Sequence, residues 1–241
     1  MDHEVPDALQ TDEGESLDFA FVLYDQITAL DIVGPWQTLH SPMSPHRFHL
    51  VAPQLAPVRT DSGMTIVPTT TFEQLRRADV IVVPGTSVPA QTIADGRVSR
   101  WLREVAPTAR WLTSVCTGTL LLADAGLLEG RTAATHWAWR SDLADSGVRV
   151  SEERVVRDGN VITGGGITAG IDFGLTLAAE LWGQPVAAVR HAVLEYRPQP
   201  PLPYGSPDRL PDGLREQVYE LMQSHAQWDR DMAAVKAAHT D

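Results

Sequence analysis

Short apolar runs alternating with amphipathic stretches set the rhythm of this chain. Phe19–Tyr24, Phe48–Ala52, Val80–Pro84, Trp111–Val115 and Val161–Thr163 are apolar, several of them rich in Val and Ile without alternation. That is how strands covered on both faces read. Between them, apolar positions recur at helical spacing over Ala29–Leu39, Val98–Val105, Thr117–Ala125, Ile167–Trp182 and Val186–Tyr196. Shorter segments around Met64–Val67, Thr132–Thr135, Val148–Val150 and Val155–Arg157 read as edge strands or hairpins. Strand alternating with helix predicts an α/β fold, one doubly wound sheet with helices on both faces.

The rhythm stops at Arg197–Pro211, where six prolines (198, 200, 201, 203, 207 and 211) rule out a helix and favour a stiff, extended connector. A last helix follows. Its apolar-leaning positions Leu214, Val218, Leu221, His225, Trp228, Met232 and Val235 are spaced alternately four and three apart, a heptad seam with His225 as the polar intrusion. Such a seam serves either a terminal helix laid across its own domain or a contact between subunits.

Composition bounds the rest. The length of 241 residues suits one domain with decorated ends. The net charge is −12, but seven acids and no Lys or Arg fall within residues 1–18. Residues 1–16 therefore read as a solvated, disordered acidic tail, 17–205 as the α/β domain and 206–241 as a helical extension. A mildly acidic body repels phosphate backbones, so nucleic acid is not an expected partner. No run of 18 apolar residues predicts a membrane span, and the start lacks the basic and apolar regions of a secretory signal. A cytoplasmic protein is expected. One cysteine excludes an intrachain disulfide and a Cys-rich zinc site.

That cysteine, Cys116, falls where the strand Trp111–Val115 meets a helix. In open α/β sheets ligands collect at the carboxyl ends of strands, and a thiol there faces a helix N-terminus. The geometry is that of a nucleophile elbow, without the Gly-x-Ser-x-Gly pattern of hydrolases. Free N–H groups at Thr117 and Gly118 favour a thiolate and can hold developing negative charge. Small residues at 117–119 predict an open turn. By type alone, a lone cysteine is more often a small buried hydrophobe; its place at a strand-helix junction favours the site instead.

Other groups can converge on it. Gly85-Thr86-Ser87 ends another strand, with backbone able to approach a ligand. Asp31, flanked by Leu30, Ile32 and Val33, is a carboxyl drawn toward an apolar site and biased to its protonated form, or a first-turn helix acid. His136 begins a segment 20 residues past Cys116 and is either a partner for the thiol or a structural histidine beside two tryptophans. Gly164-Gly165-Gly166-Ile167-Thr168-Ala169 matches Gly-x-Gly-x-x-Ala, but no acid follows at the end of a next strand, so a dinucleotide site is disfavoured. Those glycines instead let the loop form a pocket wall near the cysteine.

Taken in order, Leu30-Asp31-Ile32-Val33-Gly34-Pro35, Val115-Cys116-Thr117-Gly118, Ala134-Thr135-His136-Trp137 and Gly165-Gly166-Ile167-Thr168-Ala169-Gly170-Ile171-Asp172 resemble the ThiJ/PfpI superfamily over roughly residues 17–205. The resemblance implies a flavodoxin-like fold of the class I glutamine amidotransferase type. Asp31, where protease-like and chaperone-like branches carry Glu, and Thr117, where the protease-like branch has His, are similar to the isonitrile (isocyanide) hydratase branch. So is the tail Leu194-Glu195-Tyr196 to Pro207. Thr86 departs from the family's usual second glycine. The resemblance implies Cys116 as nucleophile, Asp31 as acid and base, and Thr117 as a polar assistant. Gly85, Thr86, Gly118, His136, Gly166 and Ile167 would surround a small-molecule substrate. The implied reaction adds a thiolate to an isonitrile carbon, hydrates the thioimidate and releases an N-substituted formamide, with no metal or organic cofactor. A homodimer is implied as well. Two alternatives stay open: a cysteine-dependent glyoxalase or amidase, and a non-enzymatic redox or ligand sensor that oxidises Cys116.

Overall fold

A computed structural model describes residues 16–41 and 45–238. All but the last residue of the expected acidic tail lies outside these. The strands are β1 Asp18–Val22, β2 Arg47–Ala52, β3 Val58–Arg59, β4 Thr65–Ile66, β5 Thr70–Thr71, β6 Val80–Val83, β7 Trp111–Val115, β8 Thr132–Ala133, β9 Arg149–Val150, β10 Val155–Asp158 and β11 Val161–Gly164. The helices are α1 Ala29–Leu39, α2 Pro89–Asp95, α3 Arg97–Val105, α4 Gly118–Asp124, α5 Arg140–Asp145, α6 Ala169–Val193 and α7 Asp212–Ala238.

Seven strands form the main sheet, ordered β5-β2-β1-β6-β7-β11-β10. Every pair is parallel except β10 with β11. Its five apolar strands run second, first, third, fourth, fifth in chain order, the flavodoxin-like arrangement. The order reverses between β1 and β6, so a crevice opens at the carboxyl ends of those strands. The core explains the lack of alternation: Phe19, Phe21 and Val80–Val83 are buried on both sides of the sheet. Helices α1 and α6 pack together, while α2, α3 and α5 each contact α4.

Each of the five expected strands and the helix Ala29–Leu39 forms, with ends shifted by at most two residues. The two helices expected over Ile167–Trp182 and Val186–Tyr196 both form, as the two parts of α6, Ala169–Val193, separated by non-helical Gly183 with φ +84°. Pro185 follows that break. Met64–Val67 holds β4, which pairs antiparallel with β3, whereas β8 and β9 pair with each other rather than joining the main sheet. The Pro-rich connector has no regular structure beyond a short 3₁₀ turn at Pro207–Arg209.

The last helix splits its heptad seam. Val218, His225 and Met232 turn partly inward with buried Ala226 and Asp229, and α7 lies across α2. Leu214, Leu221, Trp228 and Val235 remain exposed. The helix therefore lies across its own domain, along a face displaced from the seam.

Candidate active site

Three strand ends supply the site. After β7 the chain turns sharply, and Cys116 takes φ +59°, a conformation L-residues adopt at some cost. Its N–H donates to the carbonyls of Gly164 (3.0 Å) and Gly165 (2.9 Å), and its carbonyl accepts from Thr135 Oγ1 at 2.9 Å. The elbow is thus tied to the Gly-rich loop after β11 and to the segment after β8. The glycine loop passes beside the cysteine as expected.

After β6, Gly85 donates its N–H to Asp31 Oδ2 at 2.8 Å. A Cβ at Gly85 would lie 2.7 Å from that oxygen, 2.7 Å from Cys116 Cβ and 2.8 Å from Thr117 N, so only glycine fits. Asp31, in the first turn of α1, is wholly buried. Its carboxyl pairs with the Cys116 thiol, and Oδ1 has no nitrogen or oxygen partner among the described residues. Burial lifts Asp31 to about 8, despite the opposing Gly85 N–H, and Asp61 adds to the lift. A carboxyl held in its protonated form is what the apolar flanks predict.

The thiol departs from expectation. Cys116 is only 5% exposed, and the 117–119 turn is closed rather than open. The backbone N–H groups of Thr117 and Ile167 point at the sulfur and favour a thiolate. Burial and the charge of Asp31 outweigh them and hold the thiol well above its usual range. Near neutral pH the pair is an undissociated thiol beside an undissociated carboxyl.

Thr117 does not project into open space. Its Oγ1 donates to the Thr86 carbonyl and accepts from the Thr86 N–H, both at 2.8 Å, which staples the β6 turn to the elbow. Thr86 is accommodated where the family usually has glycine. It is buried, and its hydroxyl donates to the Gln26 carbonyl at 2.7 Å and accepts from Val88 N–H at 3.1 Å. Gly118 lies against the carbonyls of Val83 and Pro84, where a Cβ would approach to 2.3 Å and 2.5 Å. His136 rests its ring on Gly166 and accepts from Ala138 N–H through Nδ1 at 3.3 Å. Burial and nearby Arg140 lower it to about 4, so it is neutral at pH 7. The acid facing the thiol is Asp31, not a histidine-paired group.

A sequence profile of the DJ-1/PfpI family matches residues 19–180. The chain belongs to the DJ-1/PfpI family. It is 45% identical to an isonitrile hydratase from Pseudomonas putida over 203 residues, 84% of this chain and 89% of that enzyme. A ThiJ/PfpI family protein from Pseudomonas syringae, solved by crystallography, superposes with a TM-score of 0.87 at 35% identity, covering 97% of both chains. An HTH-type transcriptional regulator from Pseudomonas aeruginosa, CdhR, is 30% identical over 71% of this chain and 53% of its own length.

In this DJ-1/PfpI chain a cavity of about 400 Å³ lies against the Gly-rich loop after β11; Cys116, Asp31, Gly85, Thr86 and Gly118 are not among the residues that line it. Gly166, Ile167, His136, Trp137, Arg140 and Tyr219 are among its lining residues. Ile167 thus serves two sides: its N–H points at the sulfur, and the residue is 39% exposed. Sequence reasoning missed Tyr24, whose buried hydroxyl donates to the Pro84 carbonyl and feels the charges of Asp31, Cys116 and Asp61. It also missed Asp61, which accepts from Thr28 Oγ1 at 2.6 Å. Neither carries a local signal; both arrive through folding of distant segments.

Proposed function

We propose that this protein hydrates isonitriles to N-substituted formamides, with Cys116 as nucleophile and Asp31 as the group that moves protons. The observation that carries the reading is the buried Asp31 carboxyl paired with Cys116, one oxygen held by Gly85 and the other left available. The 45% identity to an isonitrile hydratase supports the same substrate class.

The chemistry suits a neutral pair. The terminal carbon of R–NC takes the Asp31 proton while the sulfur bonds to that carbon and the thiol proton passes to the carboxylate. A thioformimidate, R–N=CH–S–Cys116, results. Water then adds across the C=N bond, its oxygen to carbon and a proton to nitrogen, with Asp31 relaying the proton. Collapse of the adduct forms the C=O bond, breaks the C–S bond and returns the proton to sulfur. The products are R–NH–CHO and the original thiol. The N–H groups of Thr117 and Ile167 would steady the sulfur as charge develops on it. Thr117 would act through its staple on Thr86, and the cavity beside Gly166 and Ile167 would admit the R group. In this reading the enzyme works as a homodimer in the cytoplasm.

Formamide production from a simple alkyl isonitrile is the test. Cys116→Ala should abolish it, and intact-mass analysis of the parent during turnover should show one substrate mass added at Cys116. Activity that survives Cys116→Ala would refute the reading. Methylglyoxal consumed far faster than any isonitrile would favour a glyoxalase-type enzyme instead.

A further inference from the structure

Helix α2 begins without a cap of its own. Val88 occupies its N-cap position and offers no side-chain acceptor, and Pro89 follows it. The next two backbone N–H groups need partners. Asp229, some 140 residues later on α7, supplies both. Its Oδ2 accepts from Ala90 N–H at 2.7 Å, and its Oδ1 accepts from Gln91 N–H at 3.2 Å and from Gln91 Nε2 at 3.1 Å. Only 1% of Asp229 is exposed. One turn earlier on α7, His225 donates through Nε2 to the Ser87 carbonyl at 2.6 Å.

These contacts reach the turn that carries Gly85 and Thr86. Residues 85–88 form a continuous tether between two anchors. Gly85 holds Asp31, Thr86 is stapled to Thr117, Val88 N–H bonds the Thr86 hydroxyl, and Ser87 is held by His225. Gly85 is hemmed in: there is no room for even one added carbon between it and Asp31, Cys116 and Thr117. A shift of Ser87 or of the start of α2 therefore reaches the Gly85 N–H, the one backbone donor on the Asp31 carboxyl among the described residues.

We infer that His225 and Asp229 are positioning residues of the active site: α7 clamps the turn 85–88 and the start of α2, and through them sets where the Asp31 carboxyl sits against Cys116. The extension 206–241, beyond the segment that the family profile matches, is then part of the catalytic apparatus in this chain. This inference rests on Cys116 and Asp31 being the reacting pair.

The experiment uses the full chain with His225→Ala and Asp229→Ala, alongside the conservative variants His225→Gln and Asp229→Asn. Gln keeps a donor for the Ser87 carbonyl, and Asn keeps one acceptor for the α2 start. Two readouts are taken at a temperature where each variant is folded by circular dichroism. One is steady-state turnover of an alkyl isonitrile. The other is the rate of Cys116 alkylation by iodoacetamide against pH. The alanine variants should lose about tenfold or more in kcat with KM little changed, as a displaced reacting group does. They should also move the midpoint of the alkylation profile, and Gln and Asn should restore most of both. Alanine variants with the parent's kcat and alkylation profile overturn the inference. So does a loss that Gln and Asn do not relieve. The alkylation readout does not depend on the substrate: isonitrile turnover surviving Cys116→Ala overturns the proposed reaction, while the alkylation profile still decides the clamp.

Discussion

At Asp31 the surroundings outweigh the residue type. A carboxyl that would titrate near 4 in water sits wholly buried, accepts the Gly85 N–H, and rises to about 8. Two N–H groups at the Cys116 sulfur are too few to offset its own burial and the neighbouring acid. If Asp31 delivers the first proton, kcat/KM should be level below neutrality and fall as pH rises through about 8. Asp31→Asn should lower activity by 10²-fold or more at pH 7, about what loss of a general acid costs. A pH–rate profile on an alkyl isonitrile checks both. A parent profile that instead rises through pH 8 would assign the reactive form to an ionised pair.

At the scale of elements, close approach matters more than propensity. Helices α1 and α6 meet where Gly34, Gly170 and Gly174 leave no side chain between the backbones. A Cβ at Gly174 would fall 1.8 Å from Thr38 Oγ1, far inside contact distance. Gly174→Ala should therefore destabilise the fold by about 1–3 kcal/mol, despite the gain in helix propensity. Since α1 carries Asp31, activity should fall with it. Chemical denaturation and isonitrile turnover of this variant check the prediction.

The same scale shows what sequence periodicity can and cannot reach. The buried strands and α1 were legible because long apolar runs and helical spacing leave few alternatives. Helices α2 and α5 were not, because Pro89–Asp95 and Arg140–Asp145 are too short to display a period and too polar to announce a core face. The seam of α7 was legible as a pattern but misleading as a face. Leu214, Leu221, Trp228 and Val235 stay exposed, while Asp229, absent from the seam, is buried because α2 needs its carboxylate.

For the whole molecule, two buried groups tilt stability against pH in opposite directions. Asp31 has a folded value near 8 against an ordinary value of 3.8, so the native state keeps a proton that the unfolded chain releases. Its contribution therefore declines as pH rises from about 4 to about 8. His136, lowered to about 4 from 6.5, is neutral in the native state while the unfolded chain takes a proton. Its contribution is lost as pH falls from 6.5 toward 4. Between pH 6.5 and 8 only the Asp31 slope of this pair acts. The parent should lose about 1–2 kcal/mol across that window, and Asp31→Asn should remove the loss. Urea midpoints at pH 6.5 and 8 give the comparison; equal losses in parent and variant would locate the proton elsewhere.

By itself the sequence determined the layered fold, the elbow at Cys116 and the apolar setting of Asp31, because each is written in neighbouring residues: an apolar run, a strand followed by a helix, a carboxyl flanked by aliphatics. Only the tertiary structure decided how closed the elbow is, that Thr117 staples Thr86, that Tyr24 and Asp61 stand near the pair, and that α7 reaches the turn at Ser87. Those facts depend on groups tens to more than a hundred residues apart. Which of them meet is fixed by the packing of the whole core and by the need to satisfy each buried polar group.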